Sequence, residues 1–165
     1  MKLKHRADYG MGLVTTTGKK EYTPDPKTDW GPNERFAFGS NKGGQHFGGA
    51  ARYAADKLGA EWGVGEGPTG QCYAVPTLVD PNTLTDADKR AANRVTQEEL
   101  TESLRKLSEY AVAHPEEKIY LSKIGLGIGG WTLPEVHKAF WDAGIPFNAP
   151  NVIYPIEFEM PDDAD

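Results

Sequence analysis

Residues 35–60 read RFAFGSNKGGQHFGGAARYAADKLGA, and this stretch decides the class of fold. It opens on a short apolar burst, RFAF (35–38), and runs straight into a glycine-rich turn, GSNKGGQHFGG (39–49). It leaves through an alanine-rich segment, AARYAADKLGA (50–60). Ala51, Ala54, Ala55 and Leu58 recur at the spacing of one helical face, and Gly59 supplies a stop. Most of that face is alanine, so the helix can lie close against a sheet. Strand, glycine turn and helix in immediate succession form the opening half of a βαβ unit.

The rest of the chain repeats the alternation. CYAVPTLV (72–79) is rich in β-formers and reads as a buried strand, broken or ended near Pro76. DPNTLTDADKRAANRV (80–95) is a polar connection with room for a helical turn. In TQEELTESLRKLSEYAVAH (96–114), Leu100, Leu104, Leu107 and Ala111 form one helical face, and Thr96 with Glu99 spells a capping box. KIYLSKIGLGIGG (118–130) is a strand entering a second glycine turn. The next helix has Thr132 as cap, Pro134 in its first turn, Glu135 to close a box, an apolar face of Leu133, Val136 and Phe140, and Gly144 as stop. NVIYPIEFE (151–159) reads as a final strand. The expected fold is one α/β domain with a mixed or mainly parallel central sheet covered by helices. Ligands of such sheets sit at the carboxyl ends of the strands, where both glycine turns fall. Residues 1–34 are the least legible part: LVTTT (13–17) has strand character, a loop punctuated by Pro24, Pro26, Gly31 and Pro32 follows, and the acidic tail (160–165) should fray.

Composition narrows the function. The 165 residues carry 18 basic and 24 acidic side chains, a net charge of −6, which disfavours nonspecific nucleic-acid binding. No apolar run approaches the length needed to span a bilayer, and no signal peptide is visible, so a cytoplasmic protein with no membrane partner is expected. The single cysteine, Cys72, excludes an internal disulfide and reads as buried and inert. No His/Cys spacing suggests a metal, and no cofactor is implied. Oligomeric state is not legible.

Three glycine-rich segments are candidates for chemistry. In the first, Ser40, Gly44, Gly48 and Gly49 offer close backbone approach at a helix N-terminus, which suits phosphate. Asn41 is placed to hold a ribose hydroxyl, and His46 to hydrogen-bond a ligand or transfer a proton. This is neither a Walker loop nor a clean dinucleotide fingerprint. In the second, Gly125, Gly127, Ile128, Gly129 and Gly130 offer a like backbone, and Trp131 would shield a sugar or pack in the core. The third, GVGEGPTGQ (63–71), could line the sugar end of a cleft, with Glu66 a candidate base. His5, His114 and His137 read as surface residues.

Three segments, FAFGSNKGGQHFGGAARYAADKLGA, GEGPTGQCYAVPT and KIGLGIGGWTLPEV, resemble in order the signature regions of macro domains, and more closely the macro-like proteins of bacteria and their phages. The likeness covers residues 35–77 and 118–158. It implies a three-layer α/β/α fold and a small-molecule nucleotide partner of the ADP-ribose class, including cyclic NAD-derived signals. It implies that Asn41 contacts the distal ribose, that Gly48 and Gly49 lie beside the diphosphate or ribose, that Gly127, Ile128 and Gly129 form the diphosphate loop, and that Trp131 lies near the distal sugar. The family aspartate that holds the adenine amine has no clear counterpart, Asp8 being a weak one. His46 and Phe47 stand where hydrolytic members often carry glycines and an acidic or small residue, so ligand binding transfers better than hydrolysis. The alternatives are an ADP-ribosyl hydrolase or ADP-ribose phosphate phosphatase using Asn41, His46 and Glu66, and an interaction protein with vestigial loops.

Overall fold

The computed structural model describes residues 21–79, 93–127 and 130–159. The expected strand 13–17, His5, Asp8, most of the 80–95 connection, Ile128, Gly129 and the acidic tail lie outside them. Five strands form one mixed sheet in the order β2-β3-β1-β4-β5. They are β1 (Glu34–Asn41), β2 (Gly67–Thr69), β3 (Cys72–Leu78), β4 (Lys118–Leu121) and β5 (Val152–Ile153). The helices are α1 (Gly49–Lys57), α2 (Gln97–Ala113), α3 (Leu133–Asp142) and the short α4 (Ile145–Asn148). β1 is flanked by β3 and β4, both parallel to it, and β4 pairs in parallel with β5. Only β2 is antiparallel, at the edge against β3. This is the α/β fold with a mixed sheet that the strand–helix alternation predicts.

Both faces of the sheet are buried. From β1 and β3, Phe36, Phe38, Cys72 and Ala74 pack with Ala51 and Ala54 of α1 and with Leu58 at its C-cap. The intervening residues, Ala37, Tyr73 and Val75, pack with Leu100, Leu104 and Leu107 of α2 and with Val136, Ala139 and Phe140 of α3. Period-two alternation thus sends neighbouring side chains to opposite cores. Burial holds the Cys72 thiol protonated, with its pKa pushed up to about 12, so it is inert as expected.

The capping box of α2 forms as the sequence predicts: Thr96 Oγ1 accepts from Glu99 N–H at 3.1 Å and Glu99 Oε1 accepts from Thr96 N–H at 3.1 Å. Thr96→Ala should cost about 1 kcal/mol, read as a drop of roughly 2–4 °C in the midpoint of a thermal melt.

Three expectations are corrected, and one strand is added. The final strand is not nine residues long: β5 covers only Val152–Ile153, and a 3-10 turn (Ile156–Phe158) follows Pro155. Pro155 has no N–H to give a ladder. Pro76 does not end β3, which continues to Leu78; the β1 register shifts beside it, between Ser40 and Asn41, so the missing donor falls at an irregularity. β2 was not read from the sequence as a strand at all. His137 is fully buried, not a surface residue; Nε2–H donates to Glu159 O at 3.2 Å, and burial lowers its pKa.

Candidate functional site

The chain leaves β1 toward α1 on one face of the sheet and leaves β4 toward α3 on the other. Adjacent parallel strands whose connections diverge open a crevice at their carboxyl ends. Here the crevice is a cleft of about 250 Å³, walled by Gly39–Asn41 and Phe47–Ala51 on the β1 side, by Thr77 and Leu78 at the end of β3, and by Ser122–Gly125 and Gly127 on the β4 side. The first two glycine segments therefore face one another. They touch at the base: a Cβ built on Gly39 would lie 3.5 Å from Gly125 N.

The α1 end of the cleft is electrostatically open. Gly48 is the N-cap of α1, in extended backbone, and no side chain caps the helix. The first-turn amides therefore have no side-chain acceptor, and the positive end of the helix dipole faces the cleft. Gly49 and Ala50 are exposed there. Lys123 stands at the same place, its ammonium paired with Asp25 at 2.9 Å and Glu157 at 3.2 Å. Those hydrogen bonds, Asp25's the larger, raise its pKa and keep it charged.

The helix behind the second glycine segment is different. Glu135 Oε1 accepts from Thr132 N–H at 3.0 Å and from Thr132 Oγ1–H at 2.8 Å, and it pairs with Arg94 at 2.9 Å. The N-terminus of α3 is thus already supplied with negative charge. The Thr132–Glu135 capping box expected from the sequence is thus formed, and of the two helices that follow the glycine segments α1 alone has an N-terminus without a side-chain cap.

A second chamber of about 380 Å³ adjoins the first, and the two share Gly49, Ala50, Ser122 and Lys123. Its far wall is Thr23–Thr28, with Phe36, Tyr53 and Pro155 completing it. The wall is tied down by Thr23, whose N–H donates to Tyr154 O at 2.9 Å and whose hydroxyl reaches Leu121 O at 2.8 Å. Sequence reasoning missed this wall, and it missed Ser122, Lys123, Thr77, Gln45 and Phe47. The one available signal was that residues just past a parallel strand's carboxyl end line such crevices.

The remaining candidates are placed as follows. Ser40 is buried and its hydroxyl donates to Gly65 O at 2.5 Å. Asn41 lines the cleft, but its amide braces the loop: Nδ2 donates to Gln45 O at 2.7 Å and Oδ1 accepts from Gln45 N–H at 3.1 Å. Gly44 does not line the cleft. Its φ is +69° and a Cβ there would come within 2.4 Å of Gly63 C and Val64 N, so the third glycine segment packs beneath the first instead of lining the sugar end. His46 is fully buried behind the loop, edge-on to Phe38 at 5.4 Å, with Nε2–H donating to Glu61 O at 2.9 Å. Glu66 faces a separate surface cleft with Lys42, Glu99, Ser103 and Lys106. Burial is the largest influence on its carboxyl and raises the pKa; hydrogen bonds from Lys106 (2.9 Å) and Ser103 (2.7 Å) outweigh it and hold the pKa down. Trp131 is core, not cleft wall: its indole N–H donates to Thr77 O at 3.0 Å, and its ring lies where a Gly125 Cβ would be 2.8 Å away. Gly130, exposed, bonds back to Gly127 O at 3.2 Å. Asn41, His46 and Glu66 do not converge.

Among the described residues, no carboxylate or histidine lines the first chamber, no group of three or more His, Cys, Asp or Glu is placed to hold a metal, and no helix is long and apolar enough to cross a membrane. No family model, curated protein or solved structure matches the chain.

Proposed function

We propose that the cleft binds a phosphate-bearing nucleotide of the ADP-ribose class, without turning it over. The diphosphate lies between the first turn of α1 and the Ser122–Gly125 turn, and the base with its nearer sugar lies in the second chamber. On this reading α1 on one face of the sheet and α2 with α3 on the other make the three layers of a macro-like domain. The observation that carries it is the meeting of the two glycine segments at the uncapped N-terminus of α1. Backbone amides there can approach an anion that side chains would keep away. Lys123 stands at the junction of the chambers with an ammonium shared between Asp25 and Glu157, and the mixed apolar and polar walls of the second suit a base.

Binding without hydrolysis follows from what lines the first chamber. Proton transfer to or from a reacting sugar needs a titratable group poised near neutral pH within hydrogen-bond reach, and Lys123, which lines the chamber, is held protonated by Asp25 and Glu157. His46 and Glu66 lie elsewhere, and the Asn41 amide is engaged by Gln45.

Thermal melts and isothermal titration with ADP-ribose test the proposal. Ligand at 100 times its dissociation constant should add about 2.7 kcal/mol, roughly 5–10 °C in a domain of this size. Lys123→Ala should weaken binding about tenfold, the size of one charge-assisted contact. No shift with ADP-ribose or cyclic ADP-ribose at millimolar concentration overturns it.

A further inference from the structure

Two half-exposed aromatic side chains pair beside the first chamber: Phe47, which lines it, and Trp62, which packs on Phe47. Phe47 is 53% exposed and Trp62 is 52% exposed. Their rings meet edge to face, with centroids 4.9 Å apart and planes at 75°. Two planes at that angle make a corner: a flat ring laid on one is met by the other at its edge, the two arrangements that aromatic quadrupoles favour.

The corner is mounted on fixed points. Phe47 follows His46, whose buried ring is bonded to Glu61 O and lies 5.8 Å from Trp62. Trp62 follows Glu61, whose N–H donates to Thr69 Oγ1 at 2.8 Å. Gly63 N–H donates to Gly44 O at 2.9 Å and joins the two loops directly. Buried and hydrogen-bonded neighbours therefore hold two rings that are themselves exposed. The contact between the rings covers part of each and leaves about half of each side chain in water.

The position is equally specific. Phe47 lines the first chamber and not the second, whereas the chambers join at Gly49, Ala50, Ser122 and Lys123. A ligand with its base in the second chamber and its diphosphate at that junction would extend its far end toward Phe47. Two rings are far too little surface for a stable protein partner, but they match one planar heterocycle.

We propose that Phe47 and Trp62 form an outer subsite that stacks a second planar ring, so that the cleft prefers a dinucleotide with a ring at each end over a nucleotide that ends in a bare sugar. The subsite rests on the cleft being the nucleotide site.

Titration with diadenosine diphosphate and with ADP-ribose separates the two statements, since the probes share one end and the diphosphate and differ in the ring at the other. The wild-type protein should bind diadenosine diphosphate about tenfold more tightly, within the range that stacking one base on an aromatic side chain supplies. Phe47→Ala and Trp62→Ala should each bring that ratio close to one, and Trp62→Ala should leave the affinity for ADP-ribose within twofold. Tryptophan emission should be quenched by diadenosine diphosphate in the wild type and much less in Trp62→Phe. If ADP-ribose binds but the dinucleotide gains nothing, or if Trp62→Ala weakens both ligands equally, the outer subsite is wrong and the cleft assignment stands. If neither probe binds, the cleft assignment fails and the outer subsite with it.

Discussion

Gly44→Ala destabilises the protein by about 3 kcal/mol, the largest loss expected from removing no atom at all. Two costs combine. A φ of +69° disfavours any residue with a Cβ by about 1 kcal/mol. The added methyl would also lie 2.4 Å from Gly63 C and Val64 N, backbone atoms with no side-chain freedom to withdraw, and such overpacking typically costs about 1–3 kcal/mol. Gly127→Ala is the matched control. It lies in the other glycine segment, its φ is not in the left-handed region, and nothing lies within 4 Å of an added Cβ. Its stability should stay within about 0.5 kcal/mol of the parent. Chemical denaturation of the two variants decides the matter. Equal stabilities would mean that the first and third glycine segments do not pack as described.

Gly48→Asp moves stability and binding in opposite directions. Its backbone, φ −158° and ψ 173°, is extended and open to any residue. An aspartate there supplies the missing cap of α1 and a charge at the positive helix end, together stabilising by about 0.5–1 kcal/mol. The same carboxylate takes the amides offered to the anion and adds a like charge beside it. At about 6 Å and an effective dielectric constant near 20 the repulsion is about 3 kcal/mol, so affinity for ADP-ribose should fall roughly a hundredfold. Gly48→Ser caps without charge and should fall between. A Gly48→Asp protein that melts higher and binds ADP-ribose undiminished would place the diphosphate away from α1.

What could be read from the sequence was local. α2 announces itself through a helical repeat of leucines and a capping box spanning four residues, and both survive in the structure. The glycine segments were legible as permissive backbone, and their meeting at one crevice follows from parallel strands whose connections diverge. Where a side chain points was not legible. His46, Trp131 and Glu66 all sit in or beside glycine runs. Yet one is buried against Phe38, one is pinned to Thr77, and one is held by Lys106 and Ser103 of α2. Each of these partners is distant in sequence or on another element, and no periodicity encodes it. The wall at residues 23–28 failed for the same reason: a proline-punctuated loop shows no repeat, and its place is set by carbonyls at the ends of β4 and β5.

That wall has a consequence for the order in which the site comes into being. The Thr23 hydroxyl is held by Leu121 and Ile153, partners 98 and 130 residues further along the chain. A polypeptide emerging from a ribosome can close the first βαβ unit early, but two of the three carbonyls that fasten Thr23, those of Ile153 and Tyr154, are made only when nearly all of the described chain has been. Contacts of such span are also slow to form because their loop-closure entropy comes due before they repay it. The second chamber is thus a property of the finished molecule, and a partly synthesised or C-terminally shortened chain would lack one of its walls.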